Sequence, residues 1–139
     1  MSGRILAVDF GSKRVGIALS DPLRIFAKAH CVIPNTGIEA LCTQIVSLSE
    51  QHKADLILVG IPYAIDGTHT PKTIETLEFL HTLASHTKIE VEGWDERYSS
   101  QEAEQELKKM GKTWQESREL VDAMAAAMIL TSYLEQHLQ

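Results

Sequence analysis

Two cysteines in 139 residues, Cys31 and Cys42, are too few for a disulfide framework and too far apart for a close thiolate pair on zinc. Both read as buried, inert thiols, Cys31 in an apolar run and Cys42 on a helix. Basic residues are also short. Thirteen Lys and Arg face nineteen Asp and Glu, for a formal net charge of -6, which excludes a global basic field for nucleic acid. Local basic patches and carboxylate-held metal remain open. Long hydrophobic runs are missing too. The opening MSGRILAVDF has no apolar stretch leading to a small-residue cleavage site. The stretch AMAAAMIL falls far short of the roughly 20 residues that span a bilayer. The expected location is the cytoplasm, with no membrane partner. No GxxxxGK[ST] phosphate loop, GxSxG elbow or Cys/His zinc spacing occurs, and the histidines are scattered.

What is present is 44% apolar residues in a chain of one-domain length, so residues 1–139 are expected to form one domain. RILAVDF reads as a strand buried on both faces, FGSKR as a tight turn, and RVGIALSD as a second strand in which Gly16 suits a close approach or a bulge. DPLR turns the chain into a third strand, Phe26 to Ile33. Three strands joined by short turns make an antiparallel meander. After PNTG, the spacing of Ile38, Leu41, Ile45 and Leu48 predicts a helix to His52. DLILVG is a central strand. Thr70 then caps a helix with Pro71 as its first residue, running to about Ser85 with Ile74, Leu77 and Leu80 or His81 along one stripe. KIEVEGWDE is the fifth strand. Ser99 or Ser100 starts another helix, with Glu102 completing a capping box, GKTW breaks it, and a last helix starts near Gln115. This order predicts an α/β fold: a mixed five-stranded sheet, a meander plus βαβ units, flanked by helices.

Three acids stand out. Asp9 ends the first strand, at the edge where α/β sheets collect ligands, although an Asp accepting turn N–H bonds would look the same. Glu96 follows the fifth strand between Asp95 and Arg97, where a surface ion pair is the plain alternative. Asp122 lies on the last helix among Val121, Met124, Ala125 and Met128, all expected to be buried, with Ala126, Ile129 and Tyr133 continuing its own side. A lone carboxylate there is costly unless paired or bound to metal, while a boundary Asp favoured by the helix dipole is the alternative. Converging, the three acids would suit Mg²⁺ or Mn²⁺ and metal-assisted phosphodiester hydrolysis. Lys13 and Arg14 could grip phosphates, and Arg97 could touch one or orient Glu96. Asp66 reads as the first half of a DG turn more readily than as a fourth ligand. Lys108, Lys109, Lys112 and Arg118 form a modest basic area. Trp94 and Trp114 read as packing groups rather than base platforms.

VDFGSKRVGIALSD, VGIPYAIDG, DERYSS and VDAMAAAMIL together resemble the successive motifs of the bacterial YqgF family, also called RuvX and described as Holliday junction resolvases or pre-16S ribosomal RNA nucleases. The resemblance runs from about Arg4 to Leu134. It implies an RNase H-like fold and two-metal hydrolysis with Mg²⁺ or Mn²⁺, with the family's acids falling on Asp9, Glu96 and Asp122. Its basic pair falls on Lys13 and Arg14 and its DER arginine on Arg97, as substrate-binding residues. Gly60, Pro62, Asp66 and Gly67 match the VGxPxxxxG region less strictly. The sequence departs from the family in the mixed run KTWQESRELVD, where many members are rich in Lys and Arg, and in Tyr98. The implied partner is structured nucleic acid, pre-16S ribosomal RNA or a preribosomal particle, and the implied role is 16S 5′-end maturation. The alternatives are Holliday junction resolution, which would require a homodimer, and a catalytically inactive RNA-binding assembly factor.

Overall fold

A computed structural model describes residues 3–98 and 118–137. In chain order these form β1 (Arg4–Asp9), β2 (Arg14–Ser20), β3 (Ala27–Pro34), α1 (Ile38–Gln51), β4 (Ala54–Ile61), α2 (Pro71–Ser85), β5 (Glu90–Asp95), a single 3-10 turn (Glu96–Tyr98) and α3 (Arg118–His137). The strands build one sheet in the order β3-β2-β1-β4-β5. β1 pairs antiparallel with β2, and β2 with β3, while β1–β4 and β4–β5 are parallel. This is the mixed five-stranded sheet that the pattern predicts. The carboxyl ends of β1, β4 and β5 therefore share one edge.

The central strands are apolar throughout because both faces are covered. Alternation along β1 sends Leu6 and Val8 into a core with Leu41 and Ile45 of α1 and Phe79 and Leu83 of α2. Ile5 and Ala7 go to the other face, against Ala126, Ala127 and Leu130 of α3. Asp9 follows the same parity as Ile5 and Ala7, so it stands on the α3 face. Cys42 is fully buried and Cys31 half-buried, and burial pushes both thiols up from their ordinary range.

Two helical stripes differ from expectation. On α3 the buried apolar residues are Ala123, Ala126, Ala127, Ile129, Leu130, Tyr133 and Leu134, whereas Val121 is 52% exposed and Met124, Ala125 and Met128 are half-buried. Val121 lies about 200° around the helix from Ala123, which puts it on the solvent side. Small alanines win the contact because they let α3 lie close to the sheet. On α2 the buried face is Thr73, Thr76, Phe79 and Leu83, while Ile74 is half exposed. Phe79 sets that rotation by stacking on Phe10 at 4.4 Å between ring centroids. The buried hydroxyls find partners locally: Thr73 donates to the Pro62 carbonyl at 2.6 Å and Thr76 to that of Lys72 at 2.8 Å. Thr70 caps α2 in a capping box with Thr73, and Pro71 opens the helix as expected. Phe26 falls before β3 and is 71% exposed.

The predicted helix at Ser99 or Ser100 with Glu102, the GKTW break, the start at Gln115, Lys108, Lys109, Lys112 and Trp114 lie outside the described residues, as does the side chain of Arg118. No described helix is long and apolar enough to cross a membrane.

Candidate active site at the carboxyl edge of the sheet

Two glycines decide how the acids meet. Asp9 is the cross-strand partner of Gly16. A Cβ on Gly16 would lie 1.9 Å from the Asp122 carbonyl oxygen and 3.0 Å from the Ala123 nitrogen, so only glycine lets the first turns of α3 rest on β2 there. That contact delivers Asp122 to the ground beside Asp9. Gly60, near the end of β4, does the same for the third acid. A Cβ there would meet the Ile129 side chain at 2.4 Å and Cγ of Glu96 at 3.2 Å. Glu96 thus folds over the end of β4 on the α3 face, the face that holds Asp9.

Electrostatics report the same convergence. Burial raises Asp9 from 3.8 to about 6; Lys72 opposes the rise and Asp122 adds to it. Burial likewise raises Glu96 from 4.5 to about 7, with the Asp9 charge adding to it, Lys72 opposing and Asp95 adding. No hydrogen bond contributes for either carboxylate. Asp122 is engaged differently: its Oδ2 accepts from Nε of Arg14 at 2.8 Å. Among the described residues, no three acidic, imidazole or thiol groups are drawn into a ready-made metal-holding cluster.

The expected basic residues divide. Arg14 is on the site, paired with Asp122, and its side chain is 61% exposed. Lys13 is exposed on the neighbouring turn, which Asn35 braces by donating to the Lys13 and Gly11 carbonyls at 2.9 Å each. Arg97 turns away from Glu96. It donates to both Asp95 oxygens, at 2.6 Å from Nη2, and its guanidinium lies 5.5 Å from the Tyr63 ring centre. That pairing holds the Asp95 carboxyl below its usual range. Orientation of Glu96 by Arg97, one of the two roles expected of it, is therefore not what the contacts show; the neighbouring acid is nearer and better aligned. Asp66 is exposed and accepts from the Thr68 N–H at 3.0 Å and hydroxyl at 2.7 Å, the DG turn rather than a site ligand. Gly67 completes that turn at φ +88. Trp94 packs edge-on against Tyr133 at 5.1 Å and donates to Ser132 at 3.1 Å, as a packing residue.

A family model described as RuvX, Holliday junction resolvase, matches residues 3–136. The chain belongs to this family. A relative from Syntrophomonas wolfei is 37% identical over 132 residues, covering 95% of this chain and 94% of its own. Another, from Maridesulfovibrio salexigens, is 35% identical over 131 residues, covering 94% and 97%. Both bear the name "Putative pre-16S rRNA nuclease". Among solved structures, T. thermophilus RuvC in complex with a Holliday junction substrate superposes with a TM-score of 0.62 at 11% identity, covering 97% of this chain and 96% of that one. The fowlpox virus resolvase in complex with junction DNA gives 0.61 at 13%, covering 98% and 99%. At such identities the likeness is one of fold, and that fold is RNase H-like.

One residue of this RuvX-family site escaped the sequence reading. Lys72 acts on both Asp9 and Glu96 from the first turn of α2. A signal existed. A cation in a helix's first turn opposes the helix dipole, and α2 has no acid there to offset it. Such a local conflict often marks a group required by its surroundings.

Proposed function

We propose that the chain is a metal-dependent nuclease that hydrolyses a phosphodiester bond in structured RNA, acting in the cytoplasm in maturation of the 5′ end of 16S ribosomal RNA. The observation that carries this reading is the pair Asp9 and Glu96: two half-buried carboxylates at one sheet edge, raised to about 6 and about 7 with no hydrogen bond to relieve them. The Lys72 charge offsets only part of that rise, so the pair still favours added positive charge. Hard oxygen donors in that state suit Mg²⁺ or Mn²⁺, with Asp122 as the third ligand. When bound, the ion would supply Lewis-acid polarisation of the phosphate and a more acidic water. The names of the relatives support pre-16S RNA as substrate.

The chain's own groups prepare the site. Burial on the α3 face keeps bulk water from screening Asp9 and Glu96. Arg14 holds Asp122 until a competing anion arrives. An incoming phosphate would take the Arg14 guanidinium in a bidentate contact and release Asp122 toward Asp9. Lys13 would neutralise a neighbouring phosphate, and Lys72 would steady the two acids. Arg97 would reach a phosphate by leaving Asp95.

The test is cleavage of pre-16S RNA and of a four-way DNA junction with Mn²⁺ or Mg²⁺, beside Asp9→Asn. RNA cutting that falls about a hundredfold or more in the variant is the expected result. RNA bound but left intact, or cut equally by Asp9→Asn, overturns the reading and favours a non-catalytic assembly factor. The family description favours a second reading, junction resolution. It requires preferential cutting of the junction and a homodimer in light scattering.

A further inference from the structure

The acidic chain does gather free positive charge, at the end of the sheet remote from the acids. A cavity of about 360 Å³ on the α1 face is lined by Arg4, Lys28, His30, His52 and Phe26, together with one acid, Asp21. A second, of about 430 Å³, shares Arg4 and His52 and adds Lys53. The two form one groove from the end of α1 across β1 and β2 to the edge strand β3.

Strand register builds it. Arg4 has the parity of Leu6 and Val8, which face α1, and Lys28 lies opposite Leu19 in the same core layer. A bulge between Ile17 and Ala18 of β2 leaves His30 as the extra residue of β3. His30 meets the His52 ring edge-on at 4.6 Å. Burial, then the charges of His52 and Lys28, hold His30 below its usual range.

The nearby acids are already used. Asp21 accepts from the backbone N–H groups of Leu23, Ile25 and Phe26. Asp55 accepts from the Gly3 N–H at 2.7 Å and pairs with Arg24. Among the described residues Arg4, Lys28 and Lys53 form no ion pair; Arg4 donates only to the Ser20 carbonyl, at 3.0 Å. Each cation has an ordinary local role. Lys28 guards an edge strand, and Lys53 follows a helix carboxyl terminus. Those roles do not explain why the cations converge on one groove whose single lining carboxylate, Asp21, is taken up by three backbone N–H groups. An aromatic ring 71% exposed beside unpaired cations is the chemistry that binds a nucleic-acid strand, cations on phosphates and ring on base.

We infer that this groove is a second nucleic-acid contact, binding the phosphates of an RNA segment away from the cleavage site. It rests on the RNA substrate proposed above. Arg4 and Asp9 are at opposite ends of β1, about 17 Å apart at roughly 3.3 Å per residue, and on opposite faces. Only a folded RNA or a particle could reach both, so the groove would select structured substrates over short strands.

The experiment measures binding of a labelled stem-loop RNA carrying a single-stranded tail, in EDTA, over a series of salt concentrations. Wild type, Lys28→Gln/Lys53→Gln and Asp9→Asn are compared, with sodium triphosphate as a competitor. Both lysines are exposed, and a thermal melt checks that the double variant is folded. The double variant should bind about tenfold more weakly, with a salt slope smaller by about 1.4, at about 0.7 per phosphate contact. Asp9→Asn should keep the wild-type slope. Unchanged affinity and slope in the double variant overturn the inference. So does a groove that binds triphosphate, seen as shifted His30 and His52 imidazole resonances, while RNA binding ignores both lysines; the site would then serve a free phosphate compound. If wild-type protein binds RNA through these lysines but cuts nothing, the cleavage reading fails and the groove stands. If it cuts RNA and the double variant binds as wild type does, the groove fails and the cleavage reading stands.

Discussion

Arg14 and Asp122 show at the residue scale how an acidic site can be kept closed without substrate. Their pair is largely exposed on the arginine side, so it contributes little to stability, under about 1 kcal/mol. Its effect is on availability, because the guanidinium occupies one Asp122 oxygen and offsets the charge that would draw a cation. Arg14→Gln is therefore expected to leave the melting temperature nearly unchanged and to bind Mn²⁺ several-fold more tightly in calorimetry without RNA. Equal or weaker Mn²⁺ binding would show that Arg14 does not compete for Asp122. Asp9 carries the opposite signature. Its ionisation in a half-buried place costs stability, so Asp9→Asn should lose cleavage yet gain about 2 kcal/mol of unfolding free energy at pH 8. A destabilised Asp9→Asn would contradict the electrostatic account.

The decisive element-scale contact is α3 against β2 at Gly16. The alanines of α3 and the missing side chain at Gly16 together let helix and sheet approach, and the approach positions Asp122. Gly16→Ala forces backbone against backbone, where no side-chain rotamer can relieve the overlap. A loss of about 2–3 kcal/mol is expected in denaturant titration, with cleavage lost in the fraction that still folds. Wild-type activity in Gly16→Ala would mean that α3 can shift without moving Asp122 from the site. Helix stripes were legible in the sequence only to within about one residue of rotation. On α2 the apolar spacing pointed to Ile74, but Phe79 docks on Phe10 and turns Thr73 and Thr76 inward, where their hydroxyls bond to nearby carbonyls. Side-chain size and satisfied hydroxyls outweighed local hydrophobicity. Both are properties of the partner surface, which a helix's own sequence does not contain.

Across the whole molecule, Asp9 and Glu96 link folding to pH. Folded values of about 6 and about 7 stand above the ordinary 3.8 and 4.5, so the native state binds more protons than the unfolded chain between those limits. Stability should therefore fall as pH rises from about 4 to about 7, and this contribution should level off above the folded values. Melting temperatures in EDTA would trace that fall, and Mn²⁺ should reverse most of it at pH 8 in wild type but not in Asp9→Asn. Rising stability across that window in EDTA, or equal stabilisation of both proteins by Mn²⁺, would refute the linkage.

The sequence by itself determined the order of the described strands and helices, the mixed sheet and the acids to watch, because apolar period, turn residues and caps act within a few neighbouring positions. It also contained the DG turn at Asp66, whose bonds reach only to Thr68. Only the tertiary structure decided that Arg97 serves Asp95, that Arg14 occupies Asp122, that Lys72 faces two acids, and that scattered cations from β1, β3 and the end of α1 line one groove. These are relations between residues far apart in the chain or in competition for the same partner. Distance and burial set their energies, and both come into being only when the sheet closes against its helices.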